Sequence, residues 1–83
     1  MYRITHTSQH INRNTIITPD GFSSIYFYNQ TDANITIDDV IVAPGLSLIY
    51  RNRPDQHITS PFLISFLTPP TTGTVIVRRE YNQ

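Results

Sequence analysis

Three histidines, two adjacent aspartates, five tyrosines and two short arginine pairs are the residues of this chain whose chemistry extends beyond packing. His6 and His10 are four apart. On a continuous strand they share one face about 13 Å apart, too far to hold one metal ion together. His57 is the only other imidazole, so the histidines read as exposed or hydrogen-bonded side chains. Serine nucleophiles lack the sharp-turn frame that presents a hydroxyl to a base, since no G-x-S-x-G occurs. Asp38-Asp39 would point apart on a strand; in a turn they supply too few oxygens for a calcium cage, so turn formation is their expected role. The three glycines fall in separate turns and build no phosphate cradle. The residue types thus predict no catalytic centre, no cofactor and no metal.

Binding surfaces are better supplied. Tyr26 and Tyr28 alternate on one strand face, and with Tyr2, Tyr50 and Tyr81 they would form an aromatic platform for sugar rings or a protein partner. The plainer alternative is tyrosine hydroxyls emerging at the rim of an ordinary core. Arg51 with Arg53, and Arg78 with Arg79, would grip carboxylates on a partner in bidentate fashion, or else remain solvated. Leu63 and Leu67 fall opposite Phe62, Ile64 and Phe66 in Pro61–Leu67. Both faces of that segment want cover, so it lies deep or meets a partner.

The elements that must position these residues are strands throughout. Ile35 and Ile37 alternate with polar neighbours, Asp38-Asp39 offers a tight hairpin, and Val40–Ala43 returns. Pro44-Gly45 predicts a type II turn into Leu46–Tyr50, so residues 34–50 read as a three-stranded meander. Upstream, Tyr2–His6 is a first strand, Ser8–Asn14 is irregular, Thr15–Thr18 is a short strand ended by Pro19-Asp20-Gly21, and Ser23–Asn29 is a clear strand. Downstream, Arg51–Ser60 is a crossing loop and Thr74–Tyr81 closes the chain as a last strand after Thr68–Gly73. Apolar residues nowhere recur at helical spacing. The expectation is one all-β domain over residues 1–83, a compact β-sandwich of about seven to eight short antiparallel strands, immunoglobulin-like or jelly-roll-like. Phe27, Ile37, Val42, Leu48, Ile64 and Val75 are the expected core.

Composition bears on partners. The chain has 83 residues, no cysteine and zero formal net charge, with 14% charged residues where about 25% is ordinary. A domain of this size buries only about 60–65% of its unfolded surface, and without cysteine it has neither disulfides nor thiolate metal sites to compensate. Its six basic residues are all arginine. Lysine, the usual guard of exposed strand edges, is missing, while arginine is favoured in interfaces. These features predict a protein that works within an assembly. Neutrality argues against a general nucleic-acid binder. No secretory leader and no run near the roughly 20 apolar residues of a membrane span is visible, so synthesis in a cytosol and no membrane partner are expected. Asn29-Gln-Thr31 and Asn34-Ile-Thr36 match the glycosylation sequon, which recurs by chance in a chain rich in Asn and Thr.

The succession Ile25-Tyr-Phe-Tyr-Asn29, Ile35-Thr-Ile37, Ala43-Pro-Gly-Leu46 and Phe62-Leu-Ile-Ser-Phe66 resembles small β-sandwich accessory proteins of tailed-phage virions, over roughly residues 22–81. Many of those sequences carry Gly where this one has Asp38-Asp39. The resemblance implies a non-enzymatic subunit located in the virion, an auxiliary or decoration protein binding a capsid shell, fibre proteins or neighbouring copies as a homo-oligomer. A carbohydrate-binding or fibre-associated adhesion module using the tyrosine face is the alternative, with a glycan as ligand.

Overall fold

The computed structural model describes residues 4–51 and 58–82, and Tyr2, Arg53 and His57 lie outside them. The described residues form eight strands: β1 (Ile4–Ile11), β2 (Thr15–Ile17), β3 (Ser24–Asn29), β4 (Ile35–Ile37), β5 (Val40–Val42), β6 (Ser47–Arg51), β7 (Phe62–Phe66) and β8 (Val75–Asn82). Among the described residues there is no helix. The strands form two four-stranded antiparallel sheets, β1-β8-β3-β6 and β2-β7-β4-β5. Of the two expected connections, this interleaved order is the jelly roll.

Period-2 alternation builds the core. Ile25 and Phe27 of β3, Val75 and Val77 of β8, Ile35 and Ile37 of β4, and Ile64 of β7 are fully buried between the sheets. Phe27 meets Phe62 across the gap with ring centres 5.4 Å apart, and Tyr50 stands 5.0 Å from Phe62. Val42 is buried as expected, and Leu48 packs partly buried against the cluster. Asp38 and Asp39 adopt φ of 48° and 72°, the left-handed pair that a two-residue hairpin between β4 and β5 requires.

Two sequence expectations are corrected. Residues 34–50 do not form one meander, because β6 leaves β4 and β5 and pairs with β3 in the other sheet. The Pro44-Gly45 turn is present: Gly45 has φ of 83° and the Leu46 N–H donates to the Ala43 carbonyl at 3.1 Å. It serves as a corner between sheets because Asn29 captures it, accepting the Gly45 N–H at 2.7 Å and donating its own N–H to the Leu46 carbonyl at 3.0 Å. A Pro-Gly turn fixes local direction and is indifferent to which sheet receives the outgoing strand. The second correction concerns Ser8–Ile11, expected to be irregular. These residues continue β1 in unbroken register with β8, from Ile4 opposite Asn82 to Ile11 opposite Val75. Ladder pairing with β8 overrides their weak strand propensity.

The two sheets are unequal. β1 and β8 each have eight residues, whereas the strands of the facing sheet have three to five. The β1–β8 ribbon therefore runs past its cover, and the molecule measures 43 × 19 × 17 Å.

Where chain crosses between sheets, a buried amide secures it. Asn29 is 1% exposed. Its Nδ2 donates to the carbonyls of Ala33 and Val42 at 2.8 and 2.9 Å, and its Oδ1 accepts the Thr31 hydroxyl and N–H at 2.7 and 3.1 Å. Both donors and both acceptor sites are thus filled. The sequon at Asn29 is closed to modification by the same contacts.

Candidate functional site

Strand register assembles one candidate surface on the outer face of the β1-β8-β3-β6 sheet. Tyr26 lies between Arg78 and Ile49; one row along, Tyr28 lies between Ile76 and Ser47; Ser24 lies between Glu80 and Arg51. The Tyr26 hydroxyl donates to Glu80 Oε1 at 2.7 Å, and Arg78 Nη2 lies 3.6 Å from Glu80 Oε2. The Arg51 guanidinium sits 5.6 Å from the Tyr26 ring centre, within cation–π range. The Tyr26 and Tyr28 rings are parallel within 8° at 6.4 Å. The hydrogen bond to Glu80, then burial, raises the Tyr26 phenol above its ordinary pKa against the opposing pull of Arg51. Arg78 also buries an Nε that has no hydrogen-bond partner.

The structure thus brings Tyr26, Tyr28, Arg51 and Arg78 together and separates the other expected residues from them. Arg79 is adjacent to Arg78 on a strand and so points to the opposite side, where it donates to Gln9 Oε1 at 3.0 Å. The two therefore do not act as a pair. Tyr50 turns into the core. Tyr81 stands edge-on to Phe22 and donates its hydroxyl to Asp20. Burial first, and then Asp20, raises its pKa. His6 and His10 stay exposed on β1, with His10 Nδ1 3.1 Å from the Thr74 hydroxyl. Among the described residues no three His, Cys, Asp or Glu side chains gather as a metal site.

Leu63 and Leu67 belong to a second surface, the outer side of the β2-β7-β4-β5 sheet. Leu63 is 50% exposed and lies directly opposite Ile16, which is 65% exposed. Ile41 of β5, 64% exposed, shares this side two strands away, and Leu67 continues it past the end of β7 at 55%. Sequence reasoning missed Ile16 and Ile41. Each is the middle residue of a three-residue strand, Ile16 before a buried Ile17 and Ile41 before a buried Val42, so alternation alone would have turned them outward.

No known family model, curated protein or solved structure matches this chain. Functional argument therefore starts from these surfaces. The Tyr–Arg face is largely satisfied within the molecule, since Tyr26 is 8% exposed with its hydroxyl and ring both engaged. The second face offers bare aliphatic side chains on a regular, hydrogen-bonded sheet, which is the chemistry of a protein contact.

Proposed function

We propose that this protein is a non-enzymatic structural subunit of a virion, an auxiliary or decoration protein that packs against a capsid shell or neighbouring subunits. The observation that carries the reading is the aliphatic outer face of the β2-β7-β4-β5 sheet, with Ile16, Leu63, Ile41 and Leu67 each at least half exposed. Full burial of a Leu or Ile side chain gains about 1.5–3 kcal/mol, so leaving these half to two-thirds in water forgoes about 1–2 kcal/mol apiece. A protein neighbour covering that sheet recovers this free energy. Zero net charge and the lack of lysine support the same reading, because nothing in the composition repels a second protein. The virion setting rests on the sequence resemblance alone.

A glycan on the tyrosine face is the weaker reading. It needs open rings, and Tyr26 has little surface left to give.

The test compares the parent protein with Leu63→Glu and Ile16→Glu. Sedimentation and binding to particles of the source should show association for the parent and its loss in either variant, with unchanged circular dichroism. A parent that stays monomeric at high concentration and ignores the particle overturns the proposal.

A further inference from the structure

We propose that the cleft between the β1–β2 turn and the Pro69-Pro70 loop binds a small carboxylated sugar. This cleft, of about 440 Å³, is lined by Asn12, Arg13, Asn14, Phe66, Pro69 and Pro70, and lies within the size range of small-ligand sites. It is distinct from both sheet faces described above.

Both walls are fixed before any ligand arrives. Asn14 Oδ1 accepts the Phe66 N–H at 2.8 Å, which ties the β1–β2 turn to the end of β7, and the Thr15 hydroxyl braces the Arg13 carbonyl at 2.9 Å. Across the cleft, the Asp32 carboxylate accepts the N–H groups of Thr71 and Thr72 at 2.9 and 3.3 Å and the Thr71 hydroxyl. Gly73 lies so close to Gln30 that a Cβ there would overlap the Gln30 carbonyl oxygen, and the Gln30 N–H donates to Thr74 at 3.1 Å. Two prolines stiffen what those contacts hold. A cleft organised in this way loses little entropy when it binds.

Its chemistry selects the ligand. The Phe66 ring and the two prolines give an apolar floor for the C–H face of a pyranose. Asn12 and Asn14 bring amides that can both donate to and accept from ring hydroxyls. Among the described residues Arg13 has no acidic partner, unlike Arg78, and its planar fork matches a carboxylate. One cation, two amides and an aliphatic–aromatic floor together fit an acidic monosaccharide better than a neutral sugar or a bare anion.

Titration of the full chain with glucuronate, followed by amide chemical shifts and calorimetry, tests this. Glucuronate should shift residues 12–14, Phe66 and the 71–73 amides. Arg13→Ala should weaken binding at least about tenfold, the loss expected for one charged hydrogen-bonding group, and Arg13→Lys should recover part of it. Asn12→Asp, which sets a carboxylate beside the ligand's own, should also weaken binding. Both positions are exposed, so the folded fingerprint should persist in all three variants. No saturable shift by glucuronate, equal binding of glucose, equal binding of acetate, or binding of a short acidic peptide with glucuronate inert would each overturn the proposal. Particle association through Leu63 is read separately, so either proposal can fail alone.

Discussion

Replacing Asn29 by alanine removes four hydrogen bonds from a site that water cannot easily reach. The Ala33 and Val42 carbonyls lose their donor, and the Thr31 N–H and hydroxyl lose their acceptor, although that hydroxyl can still reach the Ala33 carbonyl at 3.1 Å. At about 1 kcal/mol for each net hydrogen bond the loss is about 3–4 kcal/mol, rising where a buried group stays unsatisfied. A domain of this length has roughly 4–12 kcal/mol of total stability. The variant should therefore melt about 12–30 °C below the parent, taking about 4–8 °C per kcal/mol. Asn29→Asp is the sharper comparison, because it preserves size and both acceptors while turning oxygen toward two carbonyls. It should lose at least as much as alanine at neutral pH. Thermal and urea unfolding followed by far-ultraviolet circular dichroism would measure both. A loss below 1 kcal/mol for Asn29→Ala would refute the idea that this amide holds the crossover between sheets.

Two glycines with similar dihedral angles should behave differently. Gly45→Ala, at φ of 83° with nothing within 4 Å of a new Cβ, should cost about 1–2 kcal/mol from backbone strain alone. Gly73→Ala adds a clash with the Gln30 backbone and should cost more than twice as much by urea unfolding; equal losses would show that the clash relaxes freely. On the alkaline side, the phenols of Tyr26 and Tyr81 have folded pKa values above the ordinary 10.0. Their stabilisation is complete below pH 10 and is lost as pH rises through the folded values. Stability should fall above about pH 10, and the double variant Tyr26→Phe, Tyr81→Phe should flatten that fall in pH-dependent melts.

Local chemistry was legible in the sequence, and long-range pairing was not. Asp38-Asp39 gave the hairpin because two short polar residues that tolerate positive φ stand between β-branched pairs. The alternation Ile25, Tyr26, Phe27, Tyr28 assigned core and surface correctly for the buried Ile25 and Phe27. The arrangement of Arg51 over Tyr26 depends on β6 pairing with β3, a contact 25 residues apart in sequence, and no periodicity reports such a pairing. Asn29 was read as the end of a strand, since a polar residue after Tyr28 looks like a turn signal; three of its four contacts lie in that turn, at Thr31 and Ala33, and the one that ties the crossover, to Val42, comes from 13 residues away. The cleft at Arg13 was hidden for the same reason, because residues 12–14 and 66–70 meet only when β2 pairs with β7.

Strand β8 lies between β1 and β3, so the longest inter-strand ladder, β1 with β8, joins the earliest and latest described segments of the chain. Until residues 75–82 arrive, β1 has no neighbour and β3 holds only β6. Closing this sheet thus brings together parts separated by nearly the whole sequence, at high loop-closure entropy and correspondingly low speed. During synthesis the first strand waits, polar and uncommitted, and its run of Thr, Ser, Gln and His keeps it soluble through that wait.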